Sequence, residues 1–175
     1  MQYTYFPTLL EEWVTKLYKT IGINHPEDLD ETYICRKLNI YLKYKNMESH
    51  YLVTGRYQEI TINAALPLHQ KREAFYHELC HILRHTGNQI TMPDMLRVLQ
   101  ERDARHFVRY AALPYHLIVN YDIYATDATV HLSNVFGVTE ELCQERIDKI
   151  KTNRKVKVVR EGFNEYRFSN IVPRR

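Results

Sequence analysis

The segment His77-Glu78-Leu79-Cys80-His81 has the residue types and spacing that bear most directly on chemistry in this chain. Four residues apart on an α-helix, His77 and His81 project from one side, so their imidazoles can share one metal ion, with Zn2+ the natural candidate. Glu78 sits between them, where a carboxylate could take a proton from a water on that ion. This constellation points to metal-assisted peptide hydrolysis, provided that the rest of the chain builds a helix, a third ligand and a cleft around it.

The helix is the first requirement. Winding Ala74 to His85 at 100° per residue puts His77, His81 and His85 on one narrow arc and Phe75, Leu79, Ile82 and Leu83 on the opposite side. One face is expected to enter the core and the other to line a cleft. His85 follows His77 by a rise of about 12 Å, too far for both rings to close on one ion with bonds of about 2.1 Å. An orienting or structural role suits it better, and Cys80, off the histidine arc, reads as a packing residue.

A catalytic zinc ion takes three protein ligands and keeps a fourth position for water, so one more ligand must come from elsewhere. The segment from Gln100 to Pro114 reads as a second helix ended by Pro114, with an apolar arc of Ala104, Phe107, Val108, Ala111 and Ala112. Glu101 borders that arc beside Ala104 and Val108, small residues that allow close approach to the first helix. Asp103 borders its other edge. Spacing alone leaves either carboxylate as the third ligand, or as a solvated acid paired with Arg105 or Arg109. His106 and Tyr110 are candidates for stabilising an oxyanion.

HELCHILRH over residues 77–85, followed by ERDARHFVRYAALP over residues 101–114, resembles the ImmA/IrrE-type metallopeptidases. Their pattern is HExxHxLLH and then ExEANxFAxxLLMP. Residue by residue, the family's metal-ligand glutamate falls on Glu101, its alanine on Ala104, its phenylalanine on Phe107 and its proline on Pro114. The resemblance therefore selects Glu101 over Asp103. It extends upstream to the strand around Ile60 to Asn63, and downstream to a terminal helical pair around Leu132 to Thr139 with Arg146 and Ile147. The chain departs from the pattern at Arg105, where the family commonly has Asn, which puts a cation one turn beyond Glu101. The resemblance implies a zinc metalloendopeptidase with His77, His81 and Glu101 as ligands and Glu78 as the base. It also implies an antirepressor protease, cleaving a helix-turn-helix transcriptional repressor of a phage or mobile element.

The surrounding elements predict an α+β fold, a mainly helical single domain over residues 1–175 with a small antiparallel sheet beside the zinc helix. Leu9 to Thr20 and Glu27 to Lys37 read as helices. Ile40 to Tyr44, Tyr51 to Val53 and Gln58 to Asn63 read as strands around Thr54-Gly55, the last expected to border the cleft and pair with an extended substrate. Val130 to Phe136 and Glu140 to Lys151 form a helical pair across a glycine-containing turn, and Val156 to Arg160 with Tyr166 to Phe168 a short hairpin.

Composition sets the outer limits. No run approaches the roughly 20 apolar residues of a membrane helix, and the first residues lack the basic-then-apolar plan of a signal peptide. Three widely spaced cysteines, Cys35, Cys80 and Cys143, read as reduced thiols, so a cytoplasmic protein is expected. The competing class is a DNA-binding or repressor-binding regulator that acts without hydrolysis. Net charge is +3, Lys151, Arg154, Lys155, Lys157 and Arg160 crowd one segment, and the helical pair around Gly137 has a helix-turn-helix look. The lysines alternate with Val156 and Val158, as the solvated face of a strand would, which weighs against direct nucleic-acid binding. A purely structural zinc module would have little use for Glu78 or an open coordination position. The oligomeric state is left open.

Overall fold

The computed structural model describes residues 5–85 and 92–153. In chain order the elements are α1 (Leu9–Ile21), a 3₁₀ turn (Pro26–Asp28), α2 (Glu31–Leu38), β1 (Tyr41–Lys45), β2 (His50–Thr54), β3 (Tyr57–Asn63), α3 (Leu68–Arg84), α4 (Asp94–Ala112), α5 (Tyr115–Ile118) and α6 (Ala128–Phe136). A last helix, α7, covers residues 140–153. The fold is α+β and mainly helical, as the sequence predicts. The expected hairpin of Val156 to Arg160 with Tyr166 to Phe168, and the basic residues from Arg154 onward, lie outside the described residues.

Two elements differ from expectation for identifiable reasons. The second helix begins at Glu31 rather than Glu27, because the acids before it act as caps. Asp28 accepts from the backbone N–H groups of Asn24 and His25 at 2.9 and 2.8 Å, and Asp30 accepts from that of Tyr33 at 2.6 Å. The sheet is mixed rather than antiparallel. Its order is β1-β3-β2, with β1 parallel and β2 antiparallel to β3. β3 takes the centre because Glu59, Ile60, Thr61 and Ile62 are all buried, whereas β1 and β2 are largely exposed. β2 and β3 form a hairpin across Gly55 and Arg56, with Gly55 at the positive φ (+61°) that a two-residue turn favours.

α3 crosses the centre of the domain with Phe75, Tyr76, Leu79 and Cys80 buried, while Ile82 and Leu83 are only partly so. Its first turns anchor the neighbouring elements. Arg72 donates to Glu31 in α2 at 2.8 Å and to the Phe136 carbonyl at the end of α6 at 2.6 Å. A Cβ at Gly137 (φ +65°) would stand 2.8 Å from that guanidinium and displace it, and the left-handed backbone of the α6–α7 turn itself favours glycine. Glu73 then accepts from the Thr139 N–H at 2.8 Å, at the start of α7. Among the described residues no helix is long and apolar enough to cross a membrane.

The opposite side of the core is closed by an ion pair with no solvent access. Arg146 of α7 meets Glu11 of α1 at 2.6 Å, both side chains being 0% exposed. Arg146 also donates to the Leu113 carbonyl at 3.0 Å and lies over the Tyr110 ring. Glu11 accepts from the Tyr5 hydroxyl and completes a capping box with Thr8. Removing one partner strands the other charge in the core, so Glu11→Ala is expected to cost about 3–5 kcal/mol in urea denaturation. A loss below about 1 kcal/mol would show that water reaches the pair.

Candidate metal centre

His77 and His81 stand one turn apart on α3 and face Glu101, which α4 brings alongside. The three ligand-bearing groups mark out a triangle, with Glu101 offering a different oxygen to each imidazole. The two imidazole Nε2 atoms are 3.2 Å apart, and the Glu101 carboxylate straddles them, one oxygen 3.1 Å from His77 and the other 3.3 Å from His81. Three corners of a tetrahedron around an ion with bonds of about 2.0–2.1 Å are about 3.3–3.4 Å apart, so this donor set fits a tetrahedral metal with one position left open. Ala104, completely buried on α4, removes side-chain bulk where the two helices meet.

The electrostatics suit metal binding. Burial, opposed by the charge of Glu101, holds both imidazoles below the ordinary histidine range, so they are neutral at physiological pH with lone pairs to offer. Glu78, 8% exposed, has its carboxyl pushed up to about 7, first by burial and then by the charges of Glu101 and Glu48. A carboxyl titrating there can both take and release a proton near neutrality. Tyr51 of β2 lies flat against His81, with ring centroids 5.0 Å apart and planes 12° from parallel. Sequence spacing could not have found it, because the contact is made only when β2 packs across α3.

The remaining candidates fall elsewhere. Arg105 is exposed and makes no ion pair with Glu101 among the described residues, although its charge helps to hold the His77 imidazole down. Arg109 pairs with Glu145 of α7. His106 is exposed near Arg102, Arg109 and Lys149, and Tyr110 is buried beneath Arg146, so neither is set beside the triangle.

A family model described as the IrrE N-terminal-like domain, peptidase family M78, matches residues 35–148, which span the sheet, both site helices and most of α7. The chain belongs to this family. It is also similar to two proteins of Bacillus subtilis (strain 168). "Phage-like element PBSX protein XkdA" is 30% identical over 147 residues, covering 83% of this chain and 74% of that protein. "Uncharacterized protein YqaB" is 27% identical over 140 residues, covering 79% of this chain and 81% of that protein. The M78 family is of metallopeptidase type, which implies a bound metal.

This M78 domain has a second group of ligand-type residues, Cys80, His85 and Asp103, directly behind the first. Asp103 is gripped by Arg84 through a two-pronged contact of 2.9 and 3.3 Å, and accepts from His85 at 3.1 Å. Partial burial pushes the Asp103 carboxyl up, but Arg84 and His85 outweigh it and hold the carboxyl below its usual range. Burial, with the charge of Asp103 second, pushes the Cys80 thiol up to about 12, so no thiolate is available there. Arg84 already supplies the positive charge opposite Asp103, and with the Cys80 thiol protonated this group is poorly suited to a second metal ion.

Glu78 makes the site's cost in stability measurable. Its raised pKa adds stability that is fully present below about 4.5 and lost as pH rises through about 7. In the metal-free protein, Glu78→Gln should therefore be more stable than wild type at pH 8, by at most about 3 kcal/mol, with the gap shrinking toward pH 5. Thermal melts at the two pH values test this, and a gap independent of pH would refute it.

Proposed function

We propose that this chain is a zinc-dependent metalloendopeptidase of a phage or mobile element, and that it inactivates a helix-turn-helix transcriptional repressor by cutting it. The observation that carries the catalytic part is the convergence of His77, His81 and Glu101 into a tetrahedral donor set, with the buried carboxyl of Glu78 on the same helix. The biological part is supported by the likeness to a protein named for a phage-like element. On this reading all 175 residues form one such domain. The three free cysteines, all buried, suit a reduced cytoplasmic setting.

His77, His81 and Glu101 would hold the ion. When bound, zinc supplies Lewis acidity, acidifying a water molecule and polarising the scissile carbonyl. Glu78 takes a proton from the attacking water and gives it to the nitrogen of the breaking C–N bond. Oxygen and one hydrogen of that water end on the new carboxyl group, and the other hydrogen ends on the new amine. Tyr51 holds the His81 ring at its angle.

The substrate strand needs a free sheet edge, and β3, with a neighbour on each side, has none. β2 provides it instead. In a two-residue hairpin the residues flanking the turn, here Thr54 and Tyr57, form a hydrogen-bonded pair, and such pairs alternate along the ladder. The backbone groups of Tyr51 and Val53 therefore point outward, and Tyr51 packs on His81, so a peptide added at this edge would run past the metal triangle.

Co-expression with a candidate helix-turn-helix repressor of the same phage or mobile element, read by intact mass, tests the function. Wild type should produce two repressor fragments and Glu78→Gln none, while Glu78→Gln keeps its zinc. Cleavage by Glu78→Gln would remove that residue as the base, and an intact yet inactivated repressor would favour binding over hydrolysis. Glu101→Ala should release zinc to a weak chelator that leaves wild type loaded. Val53→Pro, which deletes one outward N–H and spares the β2–β3 ladder, should lower kcat/KM about tenfold or more for a long peptide. Unchanged kinetics in folded Val53→Pro would place the substrate elsewhere.

A further inference from the structure

Behind the metal triangle runs an unbroken line of polar contacts. The Nδ1 atom of His81, on the far side of the ring from its Nε2, is 2.9 Å from Nδ1 of His85. Nε2 of His85 is 3.1 Å from an oxygen of Asp103, and the guanidinium of Arg84 closes on both oxygens of Asp103 at 2.9 and 3.3 Å. The His85 side chain is only 8% exposed, so its ring cannot readily turn to water for partners. Arg84 is itself held over the Trp13 ring, its central carbon 5.6 Å from the ring centroid.

With His85 neutral, such a line admits one arrangement of protons. The Asp103 carboxylate, paired with a guanidinium, can only accept, so Nε2 of His85 must carry a hydrogen. A neutral His85 then has a bare Nδ1, which can only accept from His81. That requires the hydrogen of His81 to sit on Nδ1, leaving its Nε2 lone pair aimed at the triangle. Each proton position follows from the one before it, and the first is set by Arg84.

We infer that Arg84, Asp103 and His85 are positioning residues that set the tautomer of His81 through two consecutive hydrogen bonds, and so raise the metal affinity of the site. This rests on the reading of His77, His81 and Glu101 as metal ligands. The carboxylate acts through an interposed imidazole rather than touching the ligand itself, which explains why the third histidine lies on the same arc as the other two while being too distant to reach the ion. Arg84 and His85, at the C-terminal end of α3, and Asp103, in the middle of α4, couple the ligand's electronic state to the packing of the two site helices.

The test is zinc affinity by chelator competition on the full chain, together with 15N NMR of the histidine rings in zinc-loaded protein. The positioning chain predicts His85 protonated on Nε2 and bare on Nδ1. It also predicts a 10- to 100-fold weaker zinc affinity in Asp103→Ala and His85→Leu. His85→Asn, whose side-chain oxygen can still accept from His81, should recover most of the loss. Asp103→Asn serves as the less disruptive variant should Asp103→Ala fail to fold, and is expected to lose the fixed His85 tautomer. His85 protonated on Nδ1, or folded Asp103 and His85 variants binding zinc within twofold of wild type, would overturn the inference while leaving the metal reading intact. A wild-type chain that binds no stoichiometric zinc would overturn both.

Discussion

Two imidazole nitrogens and a carboxylate that reaches each ring with a different oxygen are held with contacts of 3.1 to 3.3 Å, and such electron-rich groups repel one another unless a proton or a metal ion stands among them. This constraint organises the domain. Two of the groups come from α3 by helical periodicity alone, but the third must be delivered by α4, and delivery requires the two helices to pack closely. The alanine at position 104 permits the approach, and Phe107, Val108 and Ala111 anchor the rest of α4 in the core. Metal binding would exchange the repulsion for coordination, as expected of a site formed by folding and completed by its ion.

The surroundings hold α3 still at both ends. At its start, Arg72 and Glu73 tie it to α2, the end of α6 and the start of α7. At its end, Arg84 and His85 tie it to Asp103 of α4. The buried Glu11–Arg146 pair joins α1 to α7 on the far side of α4, next to the Leu113 carbonyl where α4 ends. Polar groups with buried partners are costly to misplace. Their distribution therefore specifies how the helices are stacked, while the apolar residues supply most of the driving force.

Burial of Glu78 and of the two histidines has opposite effects on acid and base, and both suit the same chemistry. Desolvation disfavours charge, keeping the imidazoles neutral and lifting the carboxyl toward neutrality, as the proposed ligand and proton-carrier roles require. A bound divalent cation would pull the Glu78 pKa back down, so the carboxyl is tuned by the helix's burial on one side and the ion on the other.

Much of this was legible from residue order, because α-helical periodicity is local: His77, His81 and His85 share an arc whatever surrounds them. For the same reason Phe75 and Leu79 were recognisable as core, and the strands of the hairpin could be read from their β-formers and Gly55. Spacing could not choose between Glu101 and Asp103, since both border the apolar arc of α4. Their different partners depend on how that helix is rotated against α3. Nor could it foresee that β3 would become the central strand, leaving β1 and β2 as the sheet edges, because pairing order depends on which strand buries both faces. Sequence by itself determined which residues could act together along one helix; tertiary packing decided which carboxylate, which tyrosine and which sheet edge meet them, because those contacts join segments whose separation in the chain carries no geometric information.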